Sequence, residues 1–187
     1  MHALGAAVNR ATNPVGEALA LQALALAMRA LPAVLDAPAS IPARSDMLLA
    51  SYLAGVAMSL RGVDGIHGLC TPLEALVHVP HAHVLAVVCV PLMQFTLPAA
   101  ATRYARAARA CGIDGADDTA CGEALIDAVD GLRQRAGLPA TLAEIGVRAG
   151  QLAPAIESAK RNASLQLNAR ALARDDIAAL YRAMQPA

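Results

Sequence analysis

Leu49, Leu53, Val56 and Leu60 recur at i, i+4, i+7 and i+11, between a Ser40–Pro42 start and a stop at Gly62. That spacing puts all four on one face of an α-helix, and the face is predicted to be buried along its whole length. The same period returns in Leu21, Leu24, Met28 and Leu31, downstream of Thr12-Asn13-Pro14. A capping side chain followed by proline at the first helical position is a start signal, and Pro32 reads as the matching stop, with a short segment, Ala33–Asp36, after it.

Composition points the same way. Hydrophobic residues make up 57% of the chain and aromatics 2%, so the core is built from Ala, Leu, Val, Ile and Met. Straight-chain and small residues lose little rotamer freedom in a helix, whereas the aromatic residues that favour strands are almost missing. An all-α, multi-helix domain follows, and 187 residues suit a single one. Further helices are predicted from His2, from Gly65 with a break at Val79-Pro80, over His81–Phe95, over Pro98–Ala110 and over Ala120–Ala136. A Thr141-to-Glu144 capping box predicts a short helix, Gln151–Arg161 another, and the last starts near Arg174 and buries Ile177, Leu180, Tyr181 and Met184.

The 15 basic and 15 acidic side chains cancel. With no field to attract phosphates and almost no rings for stacking, nucleic acid is not an expected partner. Gln22, Arg29 and Pro32 interrupt the apolar run from Ala18 to Leu35, and Val84–Met93 is short, so no membrane span is expected. Cys70, Cys89, Cys111 and Cys121 form no C-x-x-C pair. Cys70 and Cys89 lie in apolar helical pattern and read as small hydrophobes, which suits a cytoplasmic location.

Chemistry concentrates between Gly65 and Pro91. That window holds His67, His78, His81 and His83, four of the five histidines. Imidazole is the commonest protein metal ligand, though a histidine on an apolar helix face also serves as a hydrogen-bonded core residue. His78 and His81, three apart, offer an improvised metal pair. His2, beside the amino terminus, is expected to fray.

Several stretches resemble the C-terminal helical domain of iron-containing (group III) alcohol dehydrogenases, the maleylacetate reductase branch above all. His2-Ala3-Leu4-x-Ala6 with Asn13-Pro14 is similar to that family's first histidine motif. The run Ala43-Arg44-Ser45-Asp46-Met47 to Gly55 resembles its helical hairpin. His67-Gly68-Leu69-Cys70-Thr71-Pro72, Pro80-His81-Ala82 and Pro91 resemble its metal signature, and Asn168-Ala169-Arg170 with Asp175-Asp176 its closing segment. The resemblance implies a divalent metal, iron or zinc, held by His2, His67 and His81. The family's aspartate ligand would fall before His2. It also implies substrate contact at Thr71 and His81.

The family's nicotinamide-binding domain, with its glycine-rich loop, has no counterpart here. NAD(P) is therefore expected only from a nucleotide-binding partner, and the chain alone is expected to be inactive towards its small-molecule substrate. Two departures bear on chemistry. Gly5 stands where the family motif has Glu, and Thr71 stands where the signature has a second histidine; its hydroxyl does not titrate near neutrality. The alternative is a non-catalytic remnant, a helical module that binds metal or a partner protein. An open apolar wall beside His67 and His81, covered by dimerisation, is a further expectation.

Overall fold

A computed structural model describes residues 1–185. Among them are eight α-helices and no strand: α1 (His2–Val8), α2 (Pro14–Asp36), α3 (Ile41–Arg61), α4 (Gly65–Glu74), α5 (His81–Ala110), α6 (Asp118–Arg135), α7 (Leu152–Lys160) and α8 (Arg174–Ala183). The all-α expectation holds. Helices α2 and α3 form a hairpin and α5 and α6 a second; α1 packs between them on α2, α3 and α5, and α4 packs on α5 and α7.

Local chemistry sets the boundaries. Asn13 caps α2 by accepting from the Gly16 N–H, Ser40 caps α3 through Ala43, and Asp117 caps α6 through Ala120. Gly62 closes α3 at φ 74°, a conformation that costs glycine little. Three sequence expectations need correction. Helix α2 runs through Pro32 to Asp36. The proline lies in the penultimate turn, where it forfeits one helical bond, and the end is held by Ala37 N–H on Ala33 and by an Arg135–Asp36 ion pair. The two helices expected on either side of Leu97 are one element, α5, with its break at Ala100 (φ −140°, ψ 22°) just past Pro98. The Thr141–Glu144 box forms, but the chain makes only turns there.

The third helix buries a different face from the one its leucines mark. Ala43, Ala50, Ala54, Ala57 and Arg61 are buried, whereas Leu48, Leu49, Tyr52 and Leu60 are exposed by 43 to 72%. Ala50, Ala54, Ala57 and Arg61 repeat the leucine spacing displaced by one residue, about 100° around the helix. Close approach explains the choice. A Cβ on Gly16 of α2 would come within 2.8 Å of the Arg61 side chain and 3.0 Å of Leu60. With Gly16, Ala20 and Ala23 buried on α2, the two backbones lie too near for leucine between them.

Two of the helices, α2 and α5, are long and apolar enough to cross a membrane by length and composition alone; the apolar window of α5 is mostly buried in the core. At the other end of the chain, Tyr181 of α8 donates to the Leu69 carbonyl of α4 at 2.7 Å. Asn168 donates to Thr96, and the Arg170 guanidinium donates to the Phe95 carbonyl and stacks 3.8 Å over its ring. These contacts tie α8 to α4 and the segment before α8 to α5.

Arg61 fastens α1 to the hairpin. Its side chain is 1% exposed. It donates to the carbonyls of Ala6 (2.5 Å), Asn9 (3.3 Å) and Asn13 (3.1 Å) and pairs with Glu17 at 3.3 Å. Asn9 returns the bond, donating to the Arg61 carbonyl at 3.1 Å. Replacing Arg61 by Ala strands buried carbonyls and one side of the Glu17 pair. It should lower unfolding free energy by about 3–5 kcal/mol in urea titrations.

Candidate metal centre

Three of the sequence-predicted residues meet. His2 opens α1, His67 lies one turn into α4, and His81 is the first residue of α5. Their ligand atoms all lie within 4.8 Å of one another. The rings of His2 and His67 are stacked at 4.8 Å between centroids, and those of His67 and His81 are 5.8 Å apart, tilted by 42°. Far from fraying, His2 is half-buried at the head of a helix whose other residues are all buried.

The decisive local fact is His67. It is 9% exposed, and neither Nδ1 nor Nε2 has a hydrogen-bond partner. Buried polar atoms without partners cost on the order of 1–3 kcal/mol each, and when they face two further imidazoles the simplest missing partner is a cation. Burial first, and the His67 ring second, lower the pKa of His2. Its lone pair is therefore free at neutral pH, as a metal ligand requires. Three converging imidazoles suit a divalent ion of the zinc or iron type.

Two carboxylates that the sequence reading did not single out flank the cluster. Asp64, 2% exposed, caps α4 by accepting from the Ile66 N–H at 3.1 Å, and its Oδ1 lies 3.6 Å from His67 Nδ1. Glu74 pairs with His81 Nδ1. An acidic residue at the head of α4, and one at its end seven positions before His81, were the sequence signals for them. Gly5 now has a structural reason: a Cβ there would come within 2.8 Å of the Asp64 carboxyl.

The remaining candidates lie apart. Thr71 is exposed, and its hydroxyl donates to the His67 carbonyl one turn back at 3.0 Å. His78 is exposed and His83 half-buried, and neither joins a group of three or more converging ligand atoms among the described residues. Beside His2 an apolar cleft of about 330 Å³ opens between α1, α2, α5 and α6, walled by Leu24, Met28, Leu85, Ala86 and Val129. Met1 apart, the large exposed apolar side chains sit on α2 and α3.

Residues 1–185 match the C-terminal domain of the Fe-containing alcohol dehydrogenase family. The chain belongs to that family. It is 36% identical over 142 residues to 1-propanol dehydrogenase PduQ of Salmonella typhimurium, covering 74% of this chain and 38% of the relative. To maleylacetate reductase 1 of Cupriavidus pinatubonensis it is 32% identical over 136 residues, 73% of this chain and 36% of that one. The crystal structure of a 1,3-propanediol oxidoreductase superposes at TM-score 0.92 with 28% identity, covering 98% of this chain and 48% of that one. The chain thus spans about half the length, or less, of the family members it matches.

The Gly5–Asp64 contact gives a test of how the centre is built. Gly5→Ala should destabilise the chain by about 1–3 kcal/mol by crowding the carboxylate. In an Asp64→Ala background, which by itself loses a helix cap worth about 1 kcal/mol, the same change should cost markedly less. Additive effects in the denaturation cycle would show that the two positions do not touch.

Proposed function

We propose that this chain is the metal- and substrate-binding half of an NAD(P)-dependent oxidoreductase similar to maleylacetate reductase and the iron-containing alcohol dehydrogenases. The observation that carries it is the unpartnered, buried His67 ring between His2 and His81. His2, His67 and His81 would hold iron or zinc. Such an ion supplies a Lewis acid that polarises a substrate carbonyl or alkoxide for hydride transfer.

The protein's own contributions follow from position. Glu74 pairs with His81 Nδ1, the carboxylate support that metal-binding imidazoles ordinarily have, and Asp64 places a negative charge 3.6 Å from His67 Nδ1. The apolar cleft at His2 takes the body of a small organic substrate and keeps water from it. His81, half exposed, is the cluster member best placed to meet the substrate. Thr71, exposed and with its hydroxyl turned back onto the His67 carbonyl, is proposed as a neutral substrate contact that moves no proton. No strand, and so no strand–glycine loop–helix unit, occurs among the described residues. The nicotinamide site therefore comes from polypeptide outside them, as a domain or as a partner, and we place the assembly in the cytoplasm.

A second reading, a helical module that binds metal or a partner without catalysis, draws on Thr71 and on the exposed Leu48, Leu49 and Tyr52 face. Metal titration separates the two. Iron(II) should bind stoichiometrically to the purified chain, and His67→Ala or His2→Ala should weaken its binding on the order of 100-fold or more. Substoichiometric uptake unchanged in both variants would leave only the partner-binding module. The chain alone should oxidise no NADH. Turnover by the purified chain would overturn the requirement for a separate nicotinamide-binding part.

A further inference from the structure

One turn beyond His67, α4 carries Cys70 and Glu74 at i and i+4, and both reach the far edge of the His81 ring. Cys70 Sγ lies 3.8 Å from His81 Nδ1, and the Glu74 carboxylate pairs with the same nitrogen. Thiol, carboxylate and imidazole offer ligand atoms within 4.8 Å of one another. Two ligands on one tetrahedral zinc, at about 2.3 Å for sulfur and about 2.0 Å for nitrogen, stand roughly 3.5 Å apart. The sulfur–nitrogen separation is within a few tenths of an ångström of that value.

We propose that Cys70, Glu74 and His81 form a binding site for a thiophilic divalent cation of the zinc class, distinct from the three-histidine cluster and sharing His81 with it. The donor set differs in kind. Three imidazoles suit several first-row metals, whereas a thiolate selects softer ions. Cys70 itself is buried, while the Glu74 and His81 side chains are 30% and 51% exposed, so a cation enters over the carboxylate and keeps a solvent-facing fourth position. Burial and the neighbouring carboxylate raise the pKa of the free thiol. Coordination reverses that: the cation takes the sulfur lone pair, the S–H bond breaks, and one proton leaves to solvent.

Sharing makes the two sites exclusive. His81 Nδ1 faces Cys70 and Glu74, and among the described residues nothing hydrogen-bonds to Nε2. A neutral imidazole offers one lone pair. A cation on Nδ1 leaves the ring proton on Nε2 and withdraws His81 from the three-histidine cluster.

The inference does not rest on the oxidoreductase reading, and cobalt(II) tests it independently. Added to the purified chain, cobalt should produce a near-ultraviolet sulfur-to-metal charge-transfer band and release one proton. Cys70→Ala should abolish the band. Cys70→Ser, close in volume and without sulfur, should do the same with helicity by circular dichroism unchanged. His67→Ala, which removes only the other cluster, should keep the band, and Glu74→Gln should weaken cobalt binding at least 10-fold. No band in the wild-type chain, a band that survives both Cys70 variants, or its loss in His67→Ala would overturn the proposal. In those cases Cys70 is packing, and Glu74 only orients His81.

Discussion

A single buried guanidinium decides whether the three histidines meet. Seven residues are too few for α1 to hold itself as a helix, since nucleation is unfavourable and only a handful of internal bonds follow. Its position comes from Arg61, which gathers the carbonyls at the end of α1 and the start of α2, and from Asn9, which bonds back to the end of α3. His2 is therefore delivered to His67 by a contact at the opposite end of its own helix. The same α3 terminus runs through Gly62 into Asp64, the cap of α4. One junction thus sets the directions of both helices that bring the first two imidazoles together.

How much of this could be read in the chain depends on whether the cause was local. Caps at Asn13 and Ser40 act over three residues, and the helices they open begin where the sequence puts them, whereas α6, capped by Asp117, begins at Asp118, two residues before the expected Ala120. The buried face of α3 is not a local property. Leucine spacing identifies an apolar face, but the partner helix selects which face fits, and at the distance fixed by Gly16 only alanines do. Leu49 and Leu60 are left one residue out of phase, on the outside, and Leu53 is only partly buried. Proline was overweighted for a similar reason. Pro32 near a helix end costs one bond, and Pro98 bends α5 without ending it, because burial on both sides holds the element together.

The site divides along the same line. His2, His67 and His81 were accessible through family resemblance, since their motifs are contiguous in sequence. Asp64 and Glu74 were not, because their meaning is relational. A carboxylate before α4 is an ordinary cap until a stacked pair of histidines is seen beside it. Gly5 looked like a loss from the first motif. In the fold it is the vacancy that Asp64 fills, a negative charge reaching the centre from α4 instead of from α1.

That relocation bears on which cation the centre favours. Three neutral imidazoles leave a divalent ion's charge uncompensated, and in a partly buried site that is costly. Asp64 next to His67 and Glu74 next to His81 restore two negative charges at one ring's remove, with no carboxylate among the three ligands themselves. The two are not equivalent. Asp64 is buried and bonded to the α4 backbone, 3.6 Å from His67 Nδ1. Glu74 is at the surface on the same edge of His81 as a thiol, so it can orient the ring or become a ligand itself. Which of these it does follows from the nitrogen on which His81 carries its proton.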